Sequence, residues 1–164
     1  MNEFKKGPAF FSGPDDGESF WQPKPSTGYI TNKVTPANSP YDTFSSGIQV
    51  LEPGASVVQH AHRYAHEMIF VYSGVGYIEM DGTRYEVEQD AMLIVGRGLQ
   101  HLLVNTGDTQ MKVLWVMFPP GLENWFEALG RPREPGDPLP DPFDRPTDIQ
   151  EIQDRMNFVR PGEE

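Results

Sequence analysis

Between residues 28 and 118 the chain is cut into short runs of β-branched and aromatic residues, each closed within a few positions by a turn signal. Runs of this length do not carry the long three-to-four-residue periodicity of a helix and are read as strands. They predict strands over Tyr29–Val34, Thr43–Leu51, Ser56–His62, Glu67–Tyr72, Gly76–Met80, Thr83–Val87, Ala91–Val95, His101–Asn105 and Met111–Phe118. Asp81-Gly82 separates two of these runs and suits a two-residue hairpin, whose central positions both require positive φ. Many short strands in succession imply an all-β sandwich, jelly roll or barrel.

The flanks differ in composition. Residues 1–27 are rich in Gly, Pro and Ser, with acidic Asp15, Asp16 and Glu18, and form an expected N-terminal arm. Phe10, Phe11, Phe20 and Trp21 interrupt its polar sequence, and a disordered tail seldom carries so many aromatics. They are expected to dock on the barrel or on a second subunit. Residues 119–164 form a Pro-rich C-terminal extension. Leu122–Leu129 reads as a short helix with Gly130 placed to end it. Leu122, Trp125, Phe126 and Leu129 share one face, which either packs on the outside of the barrel or covers its mouth. Thr147-Asp148-Ile149-Gln150 matches a capping box ahead of a final helix over Asp148–Asn157. The 164 residues suffice for one domain with a substantial core, here residues 28–118.

The formal charge of −11 disfavours nucleic acid and anionic membrane surfaces as partners. No apolar run approaches the length of a membrane span, and the charged first residues have no apolar stretch behind them. The absence of cysteine removes thiolate ligands, Cys nucleophiles and disulfides, and a cytoplasmic setting is expected.

The chemistry gathers at the histidines. His60 and His62 stand two apart in a predicted strand, so both imidazoles face one side. Glu67 opens the next strand after a bend, and His101 opens a later one. Three imidazoles and a carboxylate suit Fe(II), Mn(II), Ni(II), Cu(II) or Zn(II) better than Ca(II) or Mg(II). Strand alternation turns His66 away from the face of Glu67, and Tyr64 reads as a solvated turn residue.

Gly54, His60, His62, Glu67 and Gly74 read as G-x5-H-x-H-x4-E-x6-G, which resembles the first motif of the cupin superfamily at every fixed position. Asp90 to Asn105 resembles the second motif, G-x5-P-x-G-x2-H-x3-N. Gly98, His101 and Asn105 match it, while Asp90 and Gly96 stand where the pattern has Gly and Pro. The resemblance implies the double-stranded β-helix, a cupin jelly-roll barrel, with His60, His62, Glu67 and His101 as ligands of one divalent ion. Fe(II) or Mn(II) is the favoured metal, and Gly54, Gly74 and Gly98 are expected at turns with positive φ.

Small single-barrel members with this ligand set resemble quercetinase-type and other metal-dependent dioxygenases. The resemblance therefore implies a dioxygenase acting on an enolic or phenolic substrate, with Glu67 as a catalytic base. An O2-independent lyase, isomerase or cyclase and a non-enzymatic binder of small ligands are the alternatives, since one fold hosts many chemistries. Arg97, in the second motif, either holds a substrate carboxylate or is a solvated turn residue. Trp115, Met117, Phe44 and Ile48 either line the pocket or simply fill the core, the commoner place for each residue type. The resemblance also implies a homodimer, to which the aromatic arm is suited.

Overall fold

The computed structural model describes residues 6–163, so the first five residues of the expected arm and Glu164 lie outside the described residues. Among the described residues, twelve strands form two antiparallel sheets. They are β1 (Ser19–Trp21), β2 (Gly28–Val34), β3 (Ser45–Leu51), β4 (Ser56–His62), β5 (His66–Ser73), β6 (Gly76–Met80), β7 (Thr83–Val87), β8 (Met92–Val95), β9 (His101–Asn105), β10 (Met111–Phe118), β11 (Arg131–Pro132) and β12 (Phe158–Val159). The seven-stranded sheet runs β11-β1-β2-β3-β10-β5-β8, and the five-stranded sheet runs β12-β4-β9-β6-β7. Two helices follow the barrel, α1 (Leu122–Leu129) and α2 (Ile149–Arg155). This is the cupin jelly roll, with an irregular N-terminal arm and a short helical C-terminal extension. Among the described residues no helix is long and apolar enough to cross a membrane.

Alternation explains the core. Met111, Val113, Trp115 and Met117 on β10 are buried, while the residues between them are not. Isoleucines, valines and leucines of both sheets fill one end of the sandwich, including Ile69, Val71, Ile78 and Leu103. The other end is filled by aromatics, with Phe20, Trp115, Trp125, Phe126 and Phe158 packed with Leu122 and Leu129. Buried Asn105 ties loops at the first end: its Nδ2 contacts the carbonyls of Leu51, Glu52 and Thr109, and its Oδ1 accepts from the Gly107 amide.

The Asp81-Gly82 hairpin takes the expected form, with φ of 46° and 75°. Gly54, Gly74 and Gly98 also have positive φ, and Asp90, the departure from the second motif, adopts φ 72° as a glycine would.

Three local expectations are corrected, and Gly130 ends α1 as expected but by close approach and not by a left-handed turn. The strands β1, β11 and β12 arise from segments read as irregular. β11 and β12 have only two residues each, too short to show alternation, and their pairing to distant strands creates them. Gly130 ends α1 with φ −88°, outside the left-handed region. It is needed for close approach, because a Cβ there would lie 2.6 Å from the Phe20 side chain and 2.7 Å from the Phe126 carbonyl. The capping box does not form: Asp148 is the N-cap of α2 without a side-chain hydrogen bond, and the helix is shorter than expected at its C-terminal end. The arm aromatics divide, with Phe20 and Trp21 buried and Phe11 85% exposed.

Gly47 matters for the interior. A Cβ there would meet the Thr31 carbonyl and come within 2.6 Å of the Trp115 ring. Gly47→Ala is expected to lower unfolding stability by about 1–3 kcal/mol through this overpacking, read as a lower urea midpoint. A variant as stable as the parent would contradict the packing described.

Candidate metal centre

His60 and His62 lie at the end of β4, Glu67 near the start of β5 and His101 at the start of β9. The histidines belong to the five-stranded sheet and the glutamate to the seven-stranded one, so the four meet across the sandwich. His60 is paired directly with His101 across β4 and β9, after a register shift between Val57 and His60. His62 is paired with Phe158 of β12, and Glu67 with Met117 of β10. All four side chains are buried, and their donor atoms lie within 4.8 Å of one another.

The hydrogen bonds orient the rings. His60 Nδ1 donates to the Val58 carbonyl at 2.8 Å, and His101 Nδ1 donates to the Leu99 carbonyl at 3.0 Å. A carbonyl only accepts, so both Nδ1 atoms carry hydrogen and both Nε2 atoms present lone pairs in the neutral ring. His101 Nε2 then faces Glu67 Oε2 at 3.2 Å, acceptor against acceptor, and His62 Nε2 lies 3.3 Å from the same oxygen. A buried arrangement of this kind requires a proton or a metal cation between the two acceptors.

The acid–base properties follow. Burial pushes His60 well below its ordinary pKa, reinforced by neighbouring His101 and His62, so it is held neutral. Burial pushes Glu67 up, but the hydrogen bonds and charge of His101 and His62 outweigh it and hold the carboxyl well below the usual carboxylate range. Burial pushes His101 down, yet the hydrogen bond and charge of Glu67 prevail and leave it above its ordinary value.

The donor set fits a divalent transition ion. Bonds of about 2.0–2.2 Å put donors of one ion at most about 4.4 Å apart, so the present spread closes with small side-chain movements. Carbonyl-anchored Nδ1–H groups are the usual partners of metal-bound imidazoles.

A cavity of about 50 Å³ adjoins the cluster. His60, Glu67 and His101 form one part of its wall, and Ile69, Leu103 and Val113 another. Leu122, Trp125, Phe126 and Leu129 of α1 line it too, so the helix covers the barrel mouth. Phe158 completes the cover, stacked on Trp125 at 4.3 Å and against the His62 ring at 4.9 Å. The volume holds a few waters, so a larger ligand enters only if this cover moves.

Of the residues read as pocket candidates, Trp115 lines the cavity. Met117 has the same strand parity but packs in the aromatic core. Ile48 lies on the opposite face of β3 from Gln49, which lines the cavity. Phe44 packs on Tyr41 outside it, and Arg97 is exposed in the β8–β9 turn. His66 stacks on Phe118, away from the cluster, and Tyr64 is exposed. Gln22, Gln49, Arg145, Gln153 and Phe158 line the cavity without having been singled out in the sequence. Parity on β3 would have found Gln49, whereas Arg145 sits in an irregular Pro-rich segment and Gln153 on a helix whose packing against the barrel the sequence does not encode locally.

The cupin domain family matches residues 47–117. The chain is 23% identical over 92 residues to polyketide synthase CurC of Streptomyces cyaneus, covering 56% of this chain and 60% of that protein. It is 29% identical over 69 residues to tetracenomycin polyketide synthase protein TcmJ of Streptomyces glaucescens, covering 42% of this chain and 46% of that one. The matched region is thus less than two thirds of either relative. Among solved structures, a predicted oxalate decarboxylase of Thermotoga maritima superposes with a TM-score of 0.54 at 20% identity, over 67% of this chain and 97% of that one. That likeness shows the fold. The family match covers the central strands, less than half of this chain, and the superposition shows the fold.

In the metal-free protein the His101–Glu67 pair retains a proton that an incoming cation must displace. Because His101 titrates above its ordinary value, divalent metal binding near pH 6.5 is expected to release about one proton and to tighten as pH rises. Calorimetry in two buffers of different ionisation enthalpy reads this directly. Metal binding with no proton release would contradict the assigned pairing.

Proposed function

We propose that this chain is a metal-dependent enzyme acting on an enolic or phenolic substrate by a reaction that needs no O2, of the lyase, isomerase or cyclase type. The observation that carries the reading is a buried His60/His62/Glu67/His101 cluster adjoining a cavity walled in part by aromatic side chains. When bound there, a divalent ion supplies Lewis acidity that stabilises negative charge on a substrate oxygen. Fe(II) or Mn(II) is favoured. Glu67, which lines the cavity beside His60 and His101, takes the proton from the substrate's acidic carbon or hydroxyl. The Val58 and Leu99 carbonyls keep His60 and His101 in fixed orientations throughout. Ile69, Leu103, Val113 and the α1 side chains exclude water, which strengthens every charge interaction inside.

Two relatives bear polyketide synthase names, and enolising poly-β-carbonyl compounds undergo ring closure without an oxidant. That favours the O2-independent reading over the dioxygenase implied by the motif resemblance. The dioxygenase reading uses the same site and the same substrate class, with O2 as co-substrate.

Turnover of β-dicarbonyl and phenolic compounds by metal-loaded protein is expected to continue at an unchanged rate under strict anaerobiosis. Glu67→Gln is expected to lower kcat by about 10²-fold or more. Stoichiometric O2 consumption would replace this reading with the dioxygenase. Binding of such compounds without any conversion would replace both with a ligand-binding module.

A homodimer is proposed on a separate ground. Phe11 is 85% exposed, and Met92 and Ile94, on edge strand β8, are 62% and 56% exposed. Large apolar side chains left in water favour a partner surface. Light scattering at micromolar concentration is expected to give twice the chain mass, and a monomer would contradict the proposal.

A further inference from the structure

Arg145 is the only arginine or lysine among the described residues lining the cavity. It comes from the Pro-rich extension, in the stretch Pro142-Phe143-Asp144-Arg145-Pro146. It is half-buried, its Nε is buried without a hydrogen-bond partner, and among the described residues no carboxylate pairs with it. The other half-buried arginines, Arg133 and Arg160, also have a buried Nε without a partner, but their guanidinium groups are engaged elsewhere: Arg160 pairs with Asp154 and Glu163, and Arg133 lies over Tyr29 and bonds Ser19. The chain has 24 acidic residues against 13 basic ones, so carboxylates are not scarce. A cation drawn partly out of water without a counter-charge is unfavourable in the free protein. Burial alone depresses its pKa, with no opposing group.

The segment carrying it is fixed. The Lys24 amide donates to the Phe143 carbonyl at 2.9 Å, Lys24 Nζ pairs with Asp144 at 2.8 Å, and the Arg131 guanidinium sits 3.9 Å from the Phe143 ring centre. These contacts hold the backbone beside Pro23, which also lines the cavity. Trp115, another residue of the cavity lining, also has a buried Nε1 with no hydrogen-bond partner. Two donors without partners, beside the polar side chains of Gln22, Gln49 and Gln153, suit an oxygen-bearing ligand, and the guanidinium calls for a negative one.

We propose that Arg145 binds a carboxylate of the substrate, making the ligand class an enolic or phenolic acid whose charged end is held by the extension while its other oxygen faces His60, Glu67 and His101. The orientation rests on the metal-dependent reading above; the anion preference does not, because Arg145 is not a ligand of the ion. Arg145 is then a specificity-determining residue, contributed by the C-terminal extension and not by the cupin motifs.

The test is calorimetric titration of metal-loaded wild type, Arg145→Gln and Arg145→Lys with two matched pairs, acetoacetate against acetoacetamide and 4-hydroxyphenylacetate against 4-hydroxyphenylacetamide. Metal content and thermal midpoint are recorded for each protein. Wild type is expected to bind at least one acid about tenfold or more tighter than its amide. Arg145→Gln should abolish that preference, Arg145→Lys should restore part of it, and amide binding should change little. The ligand-free midpoint of Arg145→Gln should equal or exceed that of wild type, since an unpaired charge has been removed. The proposal is overturned by an undiminished acid preference in Arg145→Gln or by the absence of any acid preference in wild type. Equal loss of acid and amide binding together with a lowered midpoint also overturns it, by assigning Arg145 a structural role. If the wild type takes up no metal, the functional reading fails, yet the acid-against-amide comparison still decides the role of Arg145.

Discussion

The interaction on which the structure turns is the approach of His101 Nε2 to Glu67 Oε2 at 3.2 Å inside a buried space. Because His101 Nδ1 is committed to a backbone carbonyl, its second nitrogen has only a lone pair to offer the carboxylate. Neutral imidazole and carboxylate repel in this geometry, and only a proton or a metal ion makes the contact favourable. The chain therefore builds a site that is electrostatically incomplete without a cation. His60, kept neutral by burial and by its neighbours, adds a further lone pair to the same point.

The fold exists around that requirement. The imidazoles come from one sheet and the carboxylate from the other, so the ligands assemble only when the two sheets are packed. The aliphatic end of the sandwich sets the sheet spacing, while the aromatic end is shared with the C-terminal extension. Phe158 joins the two functions, since it pairs through β12 with His62 and stacks on Trp125 of α1. The extension thus acts as the cover of the cavity, which settles which way the apolar face of α1 points.

What the sequence revealed and what it concealed divide along physical lines. Five strands, Ser56–His62, Gly76–Met80, Thr83–Val87, His101–Asn105 and Met111–Phe118, coincide with the structure because alternation and turn residues are local signals. Strand parity alone placed His60 and His62 on one face, whereas Glu67 and His101, on other strands, were joined to them by the resemblance to the cupin motifs. The cavity wall was less so. Ile48 and Gln49 differ by one position, and a one-residue change of register exchanges the faces of a strand. Arg145 was invisible, since it reaches the cavity through an irregular segment whose path is fixed by Lys24 and Arg131, distant in sequence. The N-terminal Phe20 and Trp21 were read as docking residues without their strand, because β1 forms only through its pairing with β2 and β11.

The most direct test of the central claim is the metal content of freshly purified, untagged protein by elemental mass spectrometry, beside the His62→Ala/His101→Ala variant. The account predicts about one equivalent of a divalent transition ion in the wild type and almost none in the variant. A wild type that stays free of metal after anaerobic reconstitution with Fe(II), Mn(II), Ni(II), Cu(II) or Zn(II) would contradict it, and would leave a proton as the only cation the cluster accepts.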